Sequence, residues 1–427
     1  MLHVNFIREN KAQVISGLKL RNWTNTQIIE DVIIADDQRK KIQFELDEIL
    51  AESNKISKQI GDLYKQSKVE EANLLKEQTT ILKDTAKKLQ DSLKETKNQL
   101  DQLLYQIPNI PHELVKSGKS DEDNEVVYVV DNIQELNKNA LSHWELAKKY
   151  HLIDFDLGAK ITGAGFPVYT GKGARLQRAL INYFLEKNTQ AGYKEFFLPY
   201  MVNEASGLGT GQLPDKEGQM YEIGNSPDSQ QLYMIPTGEV PMMNIFRDSI
   251  LNKKELPIKA TTHTPCFRRE AGSYGAHVRG LNRLHQFDKV EIIQITSPED
   301  SYKALDEMVK HIENIVKELN LPYRILRLCG GDIGFTSAMT YDFEVYSAAQ
   351  KRWLEVSSVS NCLDFQTNRL KLRFKDENGK STLCHALNGS ALALPRIMAT
   401  LLENNQTEEG ISIPEVLKSF TGFEKIH

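Results

Sequence analysis

Two seven-residue apolar repeats in the first hundred residues constrain this chain more than any other feature. Ile42, Ile49, Ile56 and Leu63 recur every seven residues, and Leu46 and Ile60 fall four residues after Ile42 and Ile56, as the a and d positions of a coiled coil do. The polar Ser53 breaks one layer. A second series runs through Leu75, Leu82, Leu89, Thr96 and Leu103, with Ala86, Leu93 and Leu100 interleaved at the same spacing. Between the two, Tyr64 to Asn73 (YKQSKVEEAN) loses the pattern. The spacing predicts two helices of about 30 residues, each about 45 Å long at ~1.5 Å per residue. They fold back as an antiparallel hairpin. A dimerising coiled coil is the alternative, and the shortness of the break favours the hairpin.

The helical pattern stops at Ile107 to Glu113 (IPNIPHE), where two prolines three residues apart cannot continue a helix and favour extended backbone. The expected organisation is therefore an N-terminal domain over residues 1–107 with its helical arm at about 38–105, a linker at 108–113, and a larger domain over 114–427. Past the boundary glycine, proline and aromatic residues become frequent. Strand-like segments (Lys194 to Pro199, Leu284 to Ile295, Asp342 to Val359) alternate with helical ones (Ala174 to Thr189, Pro298 to Leu319). Few βαβ repeats are evident, which predicts an α+β domain on a mostly antiparallel sheet.

The 427 residues carry Lys plus Arg 53 against Asp plus Glu 58, a formal charge of -5, with 40% hydrophobic and 26% charged residues. That balance excludes a purely disordered or fibrous chain. No apolar run approaches the ~18 residues of a membrane span, and Met1 to Lys11 lacks a signal peptide's apolar stretch and cleavage site. The expectation is a cytoplasmic protein with no membrane partner. Cys266, Cys329, Cys362 and Cys384 lie far apart, with no C-x-x-C pair and no histidine at zinc spacing, so inert thiols and no zinc are expected. The acidic average argues against nucleic acid only if bulk charge decides binding. Locally, Ser53 to Asn98 carries ten lysines against seven acids, a net +3. Taken alone, such a stretch is more often a solvated face than a phosphate-binding one.

Gly165 to Gly173 (GFPVYTGKG) has the look of a phosphate-binding loop but fails on spacing, with five residues rather than four between the glycines and Gly173 where a Ser or Thr must stand. A nucleotide site of another architecture is offered by Thr264 to Ile295 (TPCFRREAGSYGAHVRGLNRLHQFDKVEIIQI). Here a strand ending in Phe267-Arg268-Arg269-Glu270 leads through a glycine-containing loop into a second strand. With a period of two, Arg268 and Glu270 share a face, and so do Arg283, Phe287 and Glu291. Arginines can grip phosphate, an aromatic ring can stack on a base, and carboxylates can hold an ammonium or hydroxyl. A charged hairpin with cross-strand ion pairs remains the plainer account of these residues alone.

This segment resembles motif 2 of the class II aminoacyl-tRNA synthetases, and within them the bacterial-type seryl-tRNA synthetases. Trp353 to Phe374 (WLEVSSVSNCLDFQTNRLKLRF) is similar to that family's E-V-S-S and S-N-C-x-D-F-Q segment, Leu387 to Leu402 (LNGSALALPRIMATLL) to motif 3, and Ala174 to Pro199 to motif 1, the dimer-forming element. The resemblance covers the whole chain, and the hairpin stands where the family carries a tRNA-binding arm. It implies a class II antiparallel sheet with flanking helices plus an N-terminal coiled-coil arm, in a homodimer that uses ATP, L-serine, tRNA(Ser) and, where present, tRNA(Sec).

Carried over to this chain, the resemblance assigns Arg268 to the α-phosphate, Glu270 to the nucleotide and tRNA-end region, Phe287 to adenine stacking and Arg396 to the γ-phosphate and adenine. Arg283 would help with phosphate or carboxylate, and Arg269, Val356 and Ser357 complete the ATP-binding set. Glu355 and Ser358 would hold Mg²⁺, since oxygen ligands suit a hard cation. On a regular strand residues 355 and 358 face opposite ways, so a bulge or strand end is expected there. Serine would be read by Thr237, Gly238 and Glu239 (TGE), with Thr237 and Glu239 on one face by a period of two, and by Glu291 and Ser390. For Thr237 and Ser390 alone a turn or helix cap is the simpler account. Gly238 and Pro395 depart from the family's usual small residues without removing a functional group, and Pro395 places a helix start close by. Two readings from other classes are an amino acid:carrier-protein ligase, which would lack the arm, and a non-catalytic RNA-binding relative, which should have lost some of Arg268, Glu270, Glu355 or Arg396.

Overall fold

A computed structural model describes residues 1–131, 133, 136, 139–224, 230–270 and 278–427. The chain divides into two compact units, one of Leu2–Lys19 and Trp23–Pro108, the other of Met1, Leu20–Asn22 and Asn109–His427. The glycine-containing loop at residues 271–277, singled out between the two strands of the nucleotide-site segment, lies outside the described residues.

In the first unit, helix α1 (Ile28–Lys65) and helix α2 (Val69–Leu104) pack antiparallel, both longer than the periodicity required. Their seam follows the repeat: Leu46, Ser53 and Ile56 are buried from α1, and Ala86, Leu93, Thr96 and Leu100 from α2. Ala72 and Thr79 extend the second series toward the tip at the same spacing, small residues that a search for large apolar side chains passes over. The break is tighter than the sequence suggested. Gln66, Ser67 and Lys68 alone join the helices, with Ser67 at φ 62°, and the Tyr64 hydroxyl donates to Asn73 at 3.1 Å across the tip. At the other end Asp36, nearly buried, takes Arg8, Arg39 and Lys40. Burial alone would raise its pKa, yet the three cations hold it at about 2.

The second unit is built on an eight-stranded sheet: β1 (Glu125–Val129), β2 (Lys194–Glu195), β3 (Ile258–Phe267), β4 (Gln286–Thr296), β5 (Tyr323–Arg327), β6 (Met339–Ser347), β7 (Arg352–Leu363) and β8 (His385–Ala393), in the order β1-β5-β6-β7-β8-β4-β3-β2. Every pairing is antiparallel except the short edge strand β2 against β3. The segment Asp342 to Val359, read as one strand, is two: β6 and β7 form a hairpin turning at residues 348–351, with Lys351 at φ 55°. The strand expected over Lys194 to Pro199 ends at Glu195.

Helices α3 (His143–Lys149), α4 (Gly171–Gln190), α5 (Ser301–Glu318) and α6 (Leu394–Asn404) lie around this sheet. Leu176, Leu180 and Phe184 of α4, Leu305, Met308 and Ile312 of α5, and Ile397, Met398 and Leu401 of α6 bury their apolar stripes against Val290 and Ile292 of β4, Val359 of β7 and Leu387 of β8 in one core. Two positions in β8 to α6 matter for the site. Glu291 of β4 stands directly opposite Ser390 of β8, and Pro395 sits in the first turn of α6, where its missing N–H costs no helical hydrogen bond.

Candidate active site

A cavity of about 240 Å³ opens over the strands β4, β7 and β8. Strand alternation puts Phe287, Lys289 and Glu291 on one face of β4, and all three line it. Thr237, Glu239, Arg268, Glu270, Arg283, Glu355, Val356, Ser357, Ser358, Ser390 and Arg396 line it too, so nearly every residue singled out in the sequence meets here. Gly238 and Arg269 do not. Gly238 packs beneath, where a Cβ would approach Thr262 Cγ2 to 2.9 Å, and the Arg269 backbone N–H donates to the Gln219 carbonyl at 2.8 Å.

Three local geometries differ from the simplest strand picture. Arg268 and Glu270 lie beyond the end of β3, and Glu270 has φ 48°, so they do not share a face by alternation. Tertiary bonds aim them: the Arg268 N–H donates to His285 O at 2.9 Å and the Glu270 N–H to Gln219 Oε1 at 3.1 Å. Thr237 and Glu239 are likewise not on a strand, because Glu239 opens a helix (Glu239–Asn244) capped at Gly238. They are joined by the Glu239 N–H donating to Thr237 Oγ1 at 3.2 Å, so Thr237 performs the turn-capping role while also lining the cavity. On β7 the register against β6 slips by one residue, Phe343 facing Ser357 and Glu344 facing Glu355. That bulge lets Glu355 and Ser358 both reach the cavity.

Electrostatically the site is a set of paired charges, buried at Lys289, Glu291 and Glu239 and open to solvent at Arg283 and Glu355. Lys289, 7% exposed, forms an ion pair with Glu291, 2% exposed, and donates to Thr237 Oγ1 at 3.0 Å. The Thr237 hydroxyl in turn donates to Glu291 Oε2 at 3.0 Å. Glu239 accepts from Gln366 Nε2 at 2.5 Å and Asn388 Nδ2 at 2.8 Å. Burial first, and the charge of Glu291 second, push its carboxyl up to about 7 against the pull of those amides and Lys289. The Arg268 guanidinium lies 5.3 Å over the Phe287 ring, and its Nε donates to Pro236 O at 3.2 Å. Arg283 pairs with Glu270. Arg396 Nη1 donates to Glu355 O at 2.8 Å and approaches its carboxylate at 3.5 Å, while Nε donates to Asn282 O at 3.1 Å.

Lys289, Gln212, Asn282, Gln366 and Asn388 were not expected. Lys289 was within reach, since alternation from Phe287 to Glu291 passes through it. Gln366 and Asn388 carry no spacing signal, because they serve Glu239 from distant segments. The donor set also suits a hard cation: the Glu355 carboxylate and Ser358 hydroxyl are oxygens, and beside them the buried Asp342 Oδ1 has no hydrogen-bond partner among the described residues. No group of three or more His, Cys, Asp or Glu among the described residues is arranged to hold a metal ion. All four cysteines are free and buried.

Arg268, Glu291, Glu355, Ser390 and Arg396 all fall within residues 221–405, the span over which the chain matches a class II aminoacyl-tRNA synthetase core. The family model described as tRNA synthetase class II core domain (G, H, P, S and T) matches residues 221–405, and the seryl-tRNA synthetase N-terminal domain matches residues 1–111. The serine--tRNA ligase of Salinibacter ruber is 46% identical over 100% of this chain and 99% of its own, and that of Neisseria meningitidis serogroup B is 45% identical over 99% and 98%. Among solved structures, seryl-tRNA synthetase from Pyrococcus horikoshii complexed with ATP superposes with a TM-score of 0.88 at 30% identity, covering 100% of this chain and 99% of that one. The cytoplasmic serine-tRNA ligase from Naegleria fowleri in complex with AMP gives 0.84 at 27%, covering 100% and 98%. The chain belongs to the seryl-tRNA synthetase family.

Proposed function

We propose that this chain activates L-serine with ATP and transfers it to tRNA(Ser), and to tRNA(Sec) where that tRNA exists. The observation that carries the reading is that one cavity gathers Thr237, Glu239, Glu291 and Ser390 with Arg268, Phe287, Glu355 and Arg396. In the first step a serine carboxylate oxygen attacks the α-phosphorus of ATP. The new P–O bond forms as the bond to the β-phosphate bridge breaks, and pyrophosphate leaves. In the second, the terminal ribose hydroxyl of the tRNA attacks the activated carbonyl and AMP leaves. No side-chain nucleophile is needed. Arg268 on the α-phosphate and Arg396 on the γ-phosphate neutralise charge that grows in the transition state, and the stacked adenine on Phe287 fixes the direction of attack. Arg283, Glu270 and the backbone of residues 355–358 complete the nucleotide contacts. Glu355 and Ser358 would hold Mg²⁺, which would supply further charge neutralisation.

Serine selection follows from polar groups already paired with one another. The Glu239 carboxylate receives the serine ammonium, and Thr237, Glu291 and Ser390 surround the hydroxyl. Alanine or glycine leaves those buried groups without the partner they are set to take, which rejects them strongly.

The domain limits follow the roles: residues 1–107 bind tRNA through the hairpin at about 38–105, 108–113 link, and 114–427 catalyse. The arm meets its tRNA by backbone and shape, for which its local charge of +3 matters more than the chain's -5. A homodimer fits an edge strand, β2, followed by Phe197 at 84% exposure and Met201 at 51%. No helix among the described residues is long and apolar enough to cross a membrane, and work on tRNA suits the cytoplasm. Serine-dependent exchange of pyrophosphate into ATP tests the first step. Arg268→Ala is expected to keep its fold and lose exchange by orders of magnitude, and near-normal exchange in the folded variant would remove Arg268 from the mechanism.

A further inference from the structure

Residues 281–283 cross from the nucleotide-site loop to β4 as irregular turns, and Leu281 and Asn282 are 1% and 4% exposed. Backbone buried outside a ladder needs partners from elsewhere, and here side chains supply them. The Leu281 N–H donates to His143 Nε2 at 2.8 Å. Because Nε2 accepts, the imidazole proton sits on Nδ1, which donates to Glu403 Oε1 at 2.7 Å. His143 and Glu403 are both fully buried. Glu403 Oε1 also accepts from the His143 N–H at 2.9 Å and from Gln350 Nε2 at 2.9 Å, and Oε2 accepts from the Ser347 hydroxyl. Gln350 Oε1 accepts from Asn282 Nδ2 at 2.9 Å, and the Asn282 carbonyl accepts from Arg396 Nε at 3.1 Å.

These bonds close a circuit that leaves α6 at Glu403 and returns to it at Arg396, two helical turns earlier. It ties α3, the β6–β7 turn and residues 281–283 to the arginine that lines the cavity. The fit leaves no slack at the loop: a Cβ on Gly280, which has φ 69°, would lie 2.3 Å from His143 Nε2. A buried polar network of this kind stabilises no better than packed apolar side chains of equal volume, so stability alone does not account for it.

We propose that His143, Gln350 and Glu403 are positioning residues for the nucleotide: they fix residues 281–283 and so hold Arg396, and Arg283 beside Asn282, where ATP phosphates arrive. None of the three lines the cavity. The proposal rests on the reading of Arg396 given above.

The test is pyrophosphate exchange by the full-length protein, with ATP and serine varied separately. Gln350→Met keeps the side chain's length and removes its bonds to Asn282 and Glu403, together with the one that its Oε1 accepts from Arg352 Nε, at a half-buried position. The KM for ATP rises about tenfold, as expected for one or two lost hydrogen bonds, while the KM for serine stays within about twofold. Glu403→Leu behaves likewise, and Glu403→Gln, which keeps an acceptor oxygen toward His143, stays within about threefold of the parent for ATP. An unchanged KM for ATP in Gln350→Met, or equal rises for ATP and serine, overturns the proposal while leaving the activity standing. A parent protein without serine-dependent exchange overturns the activity and the proposal together. Should Glu403→Leu fail to fold, Gln350→Met and Glu403→Gln decide.

Discussion

The Lys289 ammonium and the Glu291 carboxylate, two residues apart on one face of β4 and both nearly buried, form an ion pair that the Thr237 hydroxyl bridges from the side. The pair organises the pocket before any substrate is bound. Removing the cation alone leaves a buried carboxylate uncompensated. Lys289→Met should cost about 3–5 kcal/mol, whereas Lys289→Met with Glu291→Leu should recover most of it. Urea denaturation midpoints of the parent, the two single variants and the double variant check this, and an additive double variant would mean that the pair is not coupled.

Serine binding should depend on pH through Glu239, whose carboxyl stands at about 7 instead of 4.5 because of burial and then Glu291. Its ionised form is the one that receives an ammonium. The KM for serine should therefore fall as pH rises between about 6 and 8, and Glu239→Gln should bind weakly with little slope. The stability term has the opposite sense: the folded state holds a proton that the unfolded chain gives up, so this group's contribution is complete below about 4.5 and fades as pH rises through about 7. A serine KM that keeps the parent's pH dependence in Glu239→Gln would assign the titration elsewhere.

The hairpin and the catalytic unit should fail separately. Leu93, 6% exposed in the seam with Leu46 and Ala86, loses about 2–3 kcal/mol on Leu93→Ala. Far-ultraviolet circular dichroism should show an earlier helical melting phase, while exchange of pyrophosphate stays at the parent's rate. Deleting residues 40–105 carries this to its limit, sparing adenylate formation and abolishing tRNA charging. Charging that survives the deletion would remove the arm from tRNA recognition.

The parts of this molecule that repeat, or that carry unusual residue types close together, were legible in the sequence. The seven-residue spacing located both long helices because one narrow apolar stripe permits little else. The FRRE segment, and the EVSS segment through its family resemblance, located one side of the cavity: Arg268, Glu270 and residues 355–358. Alternation misled at Thr237 with Glu239 and at Arg268 with Glu270, because a helix start and a positive φ at Glu270 override it. Asp342 to Val359 read as one strand since nothing at residues 348–351 has the glycine or proline of an obvious turn. Gln350, Asn388 and Glu403 were invisible for a different reason: each matters through a partner far away in the chain.

Transfer of labelled serine to purified tRNA(Ser) tests the central claim most directly. The parent protein should charge the tRNA in a reaction that needs both ATP and serine, and Arg268→Ala, folded as judged by its melting curve, should charge it slower by orders of magnitude. A well-folded parent that forms no seryl-tRNA, or an Arg268→Ala variant that charges at the parent's rate, would contradict the account.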